Sequence, residues 1–333
     1  MLPLSKAGAF NGKITANPAG YILPRKLKQG SLIGLVTPGG QIDEEQLYDT
    51  VSKLEKLRFR AYYKPSVLDQ YGYFAGTDRQ RADELMHMFT NKNVDAILCV
   101  RGGYGSIRIL HLLDYGLIRR NPKPLIGYSD ITALLTAIYE RTGLVTFHGP
   151  VGVSSFNGFT VNAFQNVLMR SQGNYKYSYE RENETGDNPE YDLYTVSEGK
   201  AKGILIGGNL SVLVSMTGSD YEPDFENKIV YLEETDEKIY RIDKMLFQLL
   251  YATNLKKAAG IAIGIFNGCD YSEKEPQLTL KQAISDLLKP LGIPVSYGLP
   301  FGHISSKLTL PTGVKAKLNA SKNELKLLGK AVS

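Results

Sequence analysis

From Ser31 onward, short β-branched runs alternate with stretches whose apolar residues recur every three to four positions. That alternation predicts a parallel sheet with helices on both faces, a doubly wound α/β first half. Strands are expected at 32–37, 60–64, 95–100, 124–127 and 144–147, each with turn residues nearby. Between them, Ala82, Leu85, Met86 and Phe89 stand at i, i+3, i+4 and i+7, and Ile131, Leu134, Leu135 and Ile138 repeat the spacing. Both stretches are expected to be helices packed on the sheet. The pattern fades between 156 and 198, which turns polar and carries Tyr175, Tyr177, Tyr179, Tyr191 and Tyr194. Alternate tyrosines at 175, 177 and 179 suit one face of a short strand. Apolar runs return at 203–206, 228–233, 259–266 and 294–297. Ile242, Met245, Leu246 and Leu249 mark one further helix, and Leu280, Ala283, Ile284 and Leu287 another, closed by Pro290. Residues 313–328 read as a terminal hairpin turning near Ser321. The chain divides accordingly into a tail (1–27), a first α/β domain (28–155), a connection (156–198) and a second α/β domain (199–333).

A length of 333 residues agrees with two cores rather than one. With 43% apolar and 22% charged residues, interspersed in sign, the composition is that of an ordinary globular protein. The net charge of +5 is spread thinly, and the most basic short stretch, around Arg25, Lys26 and Lys28, leads into the first strand, so nucleic acid is not an expected partner. Cys99 and Cys269 lie far apart, in or beside apolar runs, as reduced core cysteines do. No apolar run approaches the ~20 residues that span a bilayer, and residues 1–17 are too polar for a signal-peptide core. The expectation is a cytoplasmic protein with no membrane partner.

Chemistry is most legible where the strand at 124–127 runs through Gly127-Tyr128-Ser129-Asp130 straight into a helix. A serine at such a turn is exposed at the carboxyl end of the sheet, close to helix N–H groups that can face a developing oxyanion. The motif departs from G-x-S-x-G because Ile131 stands in place of the second glycine. Taken alone, this segment favours a helix N-cap at Ser129 or Asp130, since both are preferred capping residues. Of the four histidines, His87 and His111 fall within helical patterns, whereas His148 ends a strand of the same sheet and His303 lies in a Gly-rich turn. The chemistry of the residues leaves His148 and His303 both open as the base. The strand at 228–233 emerges into Glu233 and Glu234, a place where a carboxylate could hold an imidazole tautomer or form part of a solvated acidic loop. Residues Arg101, Gly102, Gly103, Tyr104, Gly105 and Ser106 form a Gly-rich loop after a buried strand. Its N–H groups could cradle an anion, or its glycines could serve a tight turn alone. It lacks the third glycine of a dinucleotide fingerprint and the lysine of a P-loop. At Gly207-Gly208-Asn209 the turn reading is favoured.

Taken together, six segments in order resemble the LD-carboxypeptidase family of serine peptidases, which includes the microcin immunity peptidases. They are Gly34-Leu-Val-Thr-Pro38, Arg101-Gly-Gly-Tyr-Gly105, Ile126-Gly-Tyr-Ser-Asp-Ile-Thr132, Leu205-Ile-Gly-Gly-Asn-Leu210, Tyr231-Leu-Glu-Glu234 with Tyr240-Arg-Ile-Asp243, and Gly302-His303 before Leu310-Pro-Thr-Gly313. The resemblance implies a flavodoxin-like, parallel-sheet N-terminal domain and a smaller β-rich α/β C-terminal domain, often in a homodimer. It implies a triad of Ser129, Glu233 and His303, with oxyanion donors at the N–H groups of Gly103, beside Gly102, and of Asp130. It implies acyl transfer without metal or cofactor, on a small peptide substrate: release of terminal D-alanine from a murein tetrapeptide in cell-wall recycling. The immunity branch instead cleaves peptidyl or acyl adenylate amides and uses tryptophan to stack the nucleotide. This chain has no tryptophan, so that role would fall to tyrosines of the 175–194 segment. A catalytically inactive peptide-binding relative is the remaining alternative.

Overall fold

The computed structural model describes residues 21–177, 189–269 and 278–333, which form two sheets. Strands β1 (Leu32–Val36), β2 (Arg60–Tyr62), β3 (Ala96–Cys99), β4 (Leu125–Gly127) and β5 (Thr146–His148) run parallel in the order 2-1-3-4-5, which is the flavodoxin-like order. Between them lie α1 (Glu44–Lys56), α2 (Asp78–Thr90), α3 (Ser106–Ile109), α4 (Tyr115–Arg120) and α5 (Thr132–Thr142). Capping boxes start α1 and α2: Asp43 with Gln46, and Thr77 with Gln80, each satisfy two otherwise orphaned N–H groups.

After α6 (Gly158–Gln165) the chain builds a second, seven-stranded sheet in the order β13-β12-β7-β8-β9-β10-β6. Its strands are β6 (Tyr194–Ser197), β7 (Lys200–Asn209), β8 (Ile229–Thr235), β9 (Gly260–Asn267), β10 (Val295–Tyr297), β12 (Lys315–Asn319) and β13 (Glu324–Leu327). The helices α7 (Leu210–Met216), α8 (Ile239–Ala252) and α9 (Leu280–Leu288) complete this part. The predicted hairpin is β12–β13, which turns through Ala320–Lys322. Tyr175 and Tyr177 do lie along a strand edge, exchanging main-chain hydrogen bonds with Leu325 and Leu327; Tyr179 and most of 182–189 fall outside the described residues.

One short strand changes partners. β11 (Leu310–Thr312) leaves the second half of the chain and pairs antiparallel with β5, at the edge of the first sheet. Its register sets Leu310 opposite His148 and Thr312 opposite Thr146. An edge is where Pro311 is tolerated, because no neighbour needs its missing donor. The two halves are thereby stitched together, and the loop holding His303 enters this strand.

Helix α5 explains where the serine turn ends up. Its predicted apolar face packs on the first sheet, but Thr132, Ala133, Thr136 and Ala137 on its other side are buried as well. A helix buried all round sits between layers, and here the second layer is β7 with α7. Thr136 returns its hydroxyl to the Thr132 carbonyl at 2.7 Å, so no polar group is stranded. Closest approach is at Gly208, where φ is +147° and an added Cβ would lie 2.9 Å from the Thr132 Cβ. Gly207 and Gly208 lie within β7 and not in the tight turn expected of them, and they serve close packing against β8 and α5. Gly208→Ala is expected to cost about 1–3 kcal/mol of stability. Gly218→Ala, also at positive φ but with open space around it, is expected to cost about 1 kcal/mol or less. Chemical denaturation of the two variants checks the difference.

Candidate active site

Strand β4 ends at Gly127, and the chain turns through Ser129 into α5 within a few residues. Ser129 holds φ +66°, a left-handed conformation costly for a residue with a Cβ. Ile131, in the place of the motif's second glycine, packs its side chain over Gly127, so the tight turn survives the departure from G-x-S-x-G. Neither Tyr128 nor Ile131, at the helical starts here, makes a side-chain capping bond. Ser129 Oγ instead lies 3.0 Å from His303 Nε2.

His303 Nδ1 lies 2.8 Å from Glu233 Oε2. Glu233 has no exposed surface and stands at an irregularity in β8, where the pairing with β9 shifts register between Leu232 and Glu234. Such a shift re-aims a side chain that regular alternation would direct elsewhere. Glu234 points away and accepts from Asn209 Nδ2 (2.8 Å), Ser211 N (2.8 Å) and Thr235 N (3.0 Å), holding the start of α7. Burial together with the adjacent Glu233 charge pushes its carboxyl up to about 7. For Glu233 burial acts in the same direction, but the His303 charge and hydrogen bond outweigh it and leave the carboxyl below its ordinary value. Burial likewise opposes the His303 imidazolium, and Glu233 overcomes it, raising the imidazole above its ordinary value.

His148 sits beside this group without joining the hydrogen-bond chain. It is 1% exposed, its Nδ1 has no hydrogen-bond partner, and burial pushes its imidazole down to about 4. At neutral pH it is an uncharged packing residue between Tyr128, Tyr231 and Phe301. His87 pairs with the Tyr62 hydroxyl at 3.1 Å on the α2 side of the sheet.

The Gly-rich loop lies against the serine turn. A Cβ on Gly102 would lie 2.9 Å from Ser129 Cβ and 3.2 Å from Oγ, so only glycine permits this approach. Asp130 ties the two segments together: its carboxylate accepts from Gly105 N (3.2 Å) and Ser106 N (2.8 Å). The side chain of Asp130 thus braces the loop that carries Gly103, while its own main chain follows the serine.

Two participants carry no sequence signal. Arg81, on α2 and fully buried, donates to the carbonyls of Pro38 and Gly105 and pairs with Asp78, binding the loops after β1 and β3 to one helix. Lys307 is 4% exposed, with its Nζ 4.1 Å from the centre of the Tyr128 ring. The same ring packs edge-on to His303 at 4.8 Å. Burial pushes the Lys307 ammonium down to about 8, against the pull of Glu233. Helical or loop spacing does not mark either residue, because their roles arise from contacts between distant segments.

Chemically, a hydroxyl, an imidazole and a buried carboxylate in series can move a proton off the hydroxyl. Since the imidazole must be neutral to accept that proton, kcat/KM is expected to fall tenfold per pH unit below the His303 pKa. That pKa is raised, so the limb is expected above the ordinary imidazole value of about 6.5. A pH profile on a substrate without groups titrating between pH 5 and 8 measures it; a limb below 6 contradicts the pairing with Glu233.

Residues 33–149 match the LD-carboxypeptidase N-terminal domain, and residues 202–318 match the LD-carboxypeptidase C-terminal domain. Over 298 residues the chain is 37% identical to the "Probable murein peptide carboxypeptidase" of Bacillus subtilis (strain 168), spanning 90% of this chain and 92% of that protein. Among solved structures it is similar to an MccF-like protein from Bacillus anthracis str. Ames, with a TM-score of 0.81 and 30% identity over 92% of this chain and 99% of that one. It is also similar to muramoyltetrapeptide carboxypeptidase from Oxalobacter formigenes, with a TM-score of 0.78 and 30% identity over 91% and 100%. No helix among the described residues is long and apolar enough to cross a membrane.

Proposed function

Because the chain belongs to the LD-carboxypeptidase family and is a serine peptidase, we propose that it hydrolyses the L,D-amide bond that releases terminal D-alanine from murein tetrapeptides. The observation that carries this reading is the series Ser129 Oγ, His303 Nε2 and Nδ1, Glu233 Oε2, at 3.0 and 2.8 Å. His303 takes the Ser129 proton as Oγ attacks the carbonyl carbon. The N–H groups of Asp130 and Gly103 receive the oxyanion. Collapse of the tetrahedral intermediate forms the acyl-enzyme, and His303 returns the proton to the leaving amine. Water, deprotonated by the same imidazole, then releases the shortened peptide and frees Ser129. Glu233 keeps the tautomer with the proton on Nδ1 and stabilises the imidazolium in between.

The substrate part of the reading is supported by the names of the Bacillus subtilis and Oxalobacter formigenes proteins. The test is release of free D-alanine from a purified murein tetrapeptide, with the tripeptide product identified by mass spectrometry. Release by the wild type and not by Ser129→Ala is expected; no release by a wild type that an active-site serine probe still labels rejects the substrate. A likeness to microcin C7 self immunity protein MccF in complex with aspartyl sulfamoyl adenosine, with a TM-score of 0.83 and 27% identity, supports a second substrate, an acyl adenylate amide. Against it, Tyr177 is buried and bonded to the Thr309 carbonyl, which removes it as a nucleotide platform.

A further inference from the structure

We propose that Arg101 is the cation of a carboxylate-binding subsite, in a cavity beside the serine turn, that anchors a free carboxylate of the substrate. The cavity holds about 460 Å³ and is lined by Gly40, Gln41, Tyr73, Arg101, Gly103 and Tyr104. It lies outside the carboxyl ends of β1 and β3, the neighbouring strands from which the chain crosses in opposite directions. Open parallel sheets take up ligands at that switch point, because the loops diverge there and leave a crevice. One wall, Gly103, is the residue after Gly102, which packs on Ser129. The cavity therefore shares a wall with the loop that packs on Ser129.

The charge in this cavity is uncompensated. Arg81 and Arg108, close by, both pair with Asp78 and lie over the Phe74 ring at 4.8 and 4.9 Å. Arg101 has no such acid: its Nη1 donates to the Gln41 carbonyl at 3.2 Å, and among the described residues no carboxylate pairs with it. Most of its guanidinium donors are left for a ligand, and the planar fork matches a carboxylate edge to edge. The rim adds two exposed aromatic rings, Tyr73 and Tyr104, 5.9 Å apart, which suit an apolar stem next to a charged end. Lys307, the other cation near Ser129, is buried against Tyr128 and lines none of this cavity.

The subsite deepens the carboxypeptidase reading and rests on it for the identity of the ligand. A murein tetrapeptide offers three sources of the same chemistry: the terminal D-alanine carboxylate, the diaminopimelate side-chain carboxylate, and the α-carboxylate of its γ-linked D-glutamate. Binding is measured by calorimetry in the Ser129→Ala background, which separates it from turnover. Four peptides are compared: the free acid, its C-terminal amide, the analogue with lysine in place of diaminopimelate, and the analogue with the glutamate α-carboxylate amidated. Removing the recognised carboxylate is expected to weaken binding roughly 100-fold. Adding Arg101→Gln is expected to weaken the free acid by the same factor and to cost the peptide lacking that carboxylate nothing further. Loss at the C-terminal amide identifies the terminal carboxylate, loss at the lysine analogue the diaminopimelate one, and loss at the glutamate amide the third. Equal weakening of all four peptides by Arg101→Gln, the coupling appearing with Lys307→Met instead, or no binding of any peptide overturns the subsite. Wild type that fails to hydrolyse a peptide bound in the expected pattern overturns the peptidase reading and leaves the subsite standing.

Discussion

Ser129→Ala is expected to abolish D-alanine release, by roughly 10⁴-fold or more, while leaving the fold unchanged. The loss is large because the proposed reaction has no other nucleophile: His148 is buried and uncharged, and the described cysteines are buried with thiols pushed up out of the reactive range. The fold should persist because the turn is shaped by its surroundings. Ile131 packs over Gly127, Asp130 braces the neighbouring loop, and α5 is held between two sheets. Removing Oγ eliminates one hydrogen bond, worth about 1 kcal/mol, and alanine meets the same backbone strain as serine. Thermal unfolding within a few degrees of wild type, with turnover gone, is the expected pair of results. Residual turnover within tenfold of wild type would assign the chemistry to another group.

The second large effect separates two adjacent glutamates. Glu233→Gln is expected to lower kcat by roughly 10⁴-fold, because an amide facing Nδ1 can present a donor where the imidazole needs an acceptor, favouring the wrong tautomer. The imidazolium also loses its counter-charge. Glu234→Gln should behave differently, since that carboxylate accepts from Asn209, Ser211 and Thr235 and does not touch His303. Placing an amide nitrogen against those donors costs about 1–3 kcal/mol of stability, with kcat kept within about tenfold. Each variant thus fails in its own assay, steady-state kinetics for one and denaturation for the other. Comparable losses of kcat at both positions would falsify the assignment of Glu233.

The flavodoxin-like half was legible because its information is local. Buried parallel strands read as β-branched runs, and helix faces repeat every 3.6 residues, so β1 to β5 and helices α2 and α5 fall near their expected positions. Elements without an apolar run were not legible: β6 reads Tyr194-Thr-Val-Ser197 and β11 Leu310-Pro-Thr312, and neither stands out from the polar or Pro-containing stretch around it. Ser129 stood out through the strand, turn and helix around it, a pattern contained in about fifteen consecutive residues. By contrast, the residues alone could not choose between His148 and His303, because both end or follow strands and both are flanked by glycine.

That choice depends on long-range geometry. β11 crosses to the edge of the first sheet, drawing the His303 loop over Ser129, while the register shift in β8 turns Glu233 rather than Glu234 toward the imidazole. The same folding over buries His148 beneath Tyr128 and removes it from the hydrogen-bond chain. Arg81 and Lys307 acquire their contacts only in the folded chain, from segments far apart in sequence. The sequence by itself determined which stretches become strands and helices and which serine stands at a sharp turn, since propensity and periodicity act over a few residues. Tertiary structure brought one histidine to that serine and one carboxylate to that histidine, because separations of 174 and 70 residues are closed only by packing two sheets around one buried helix.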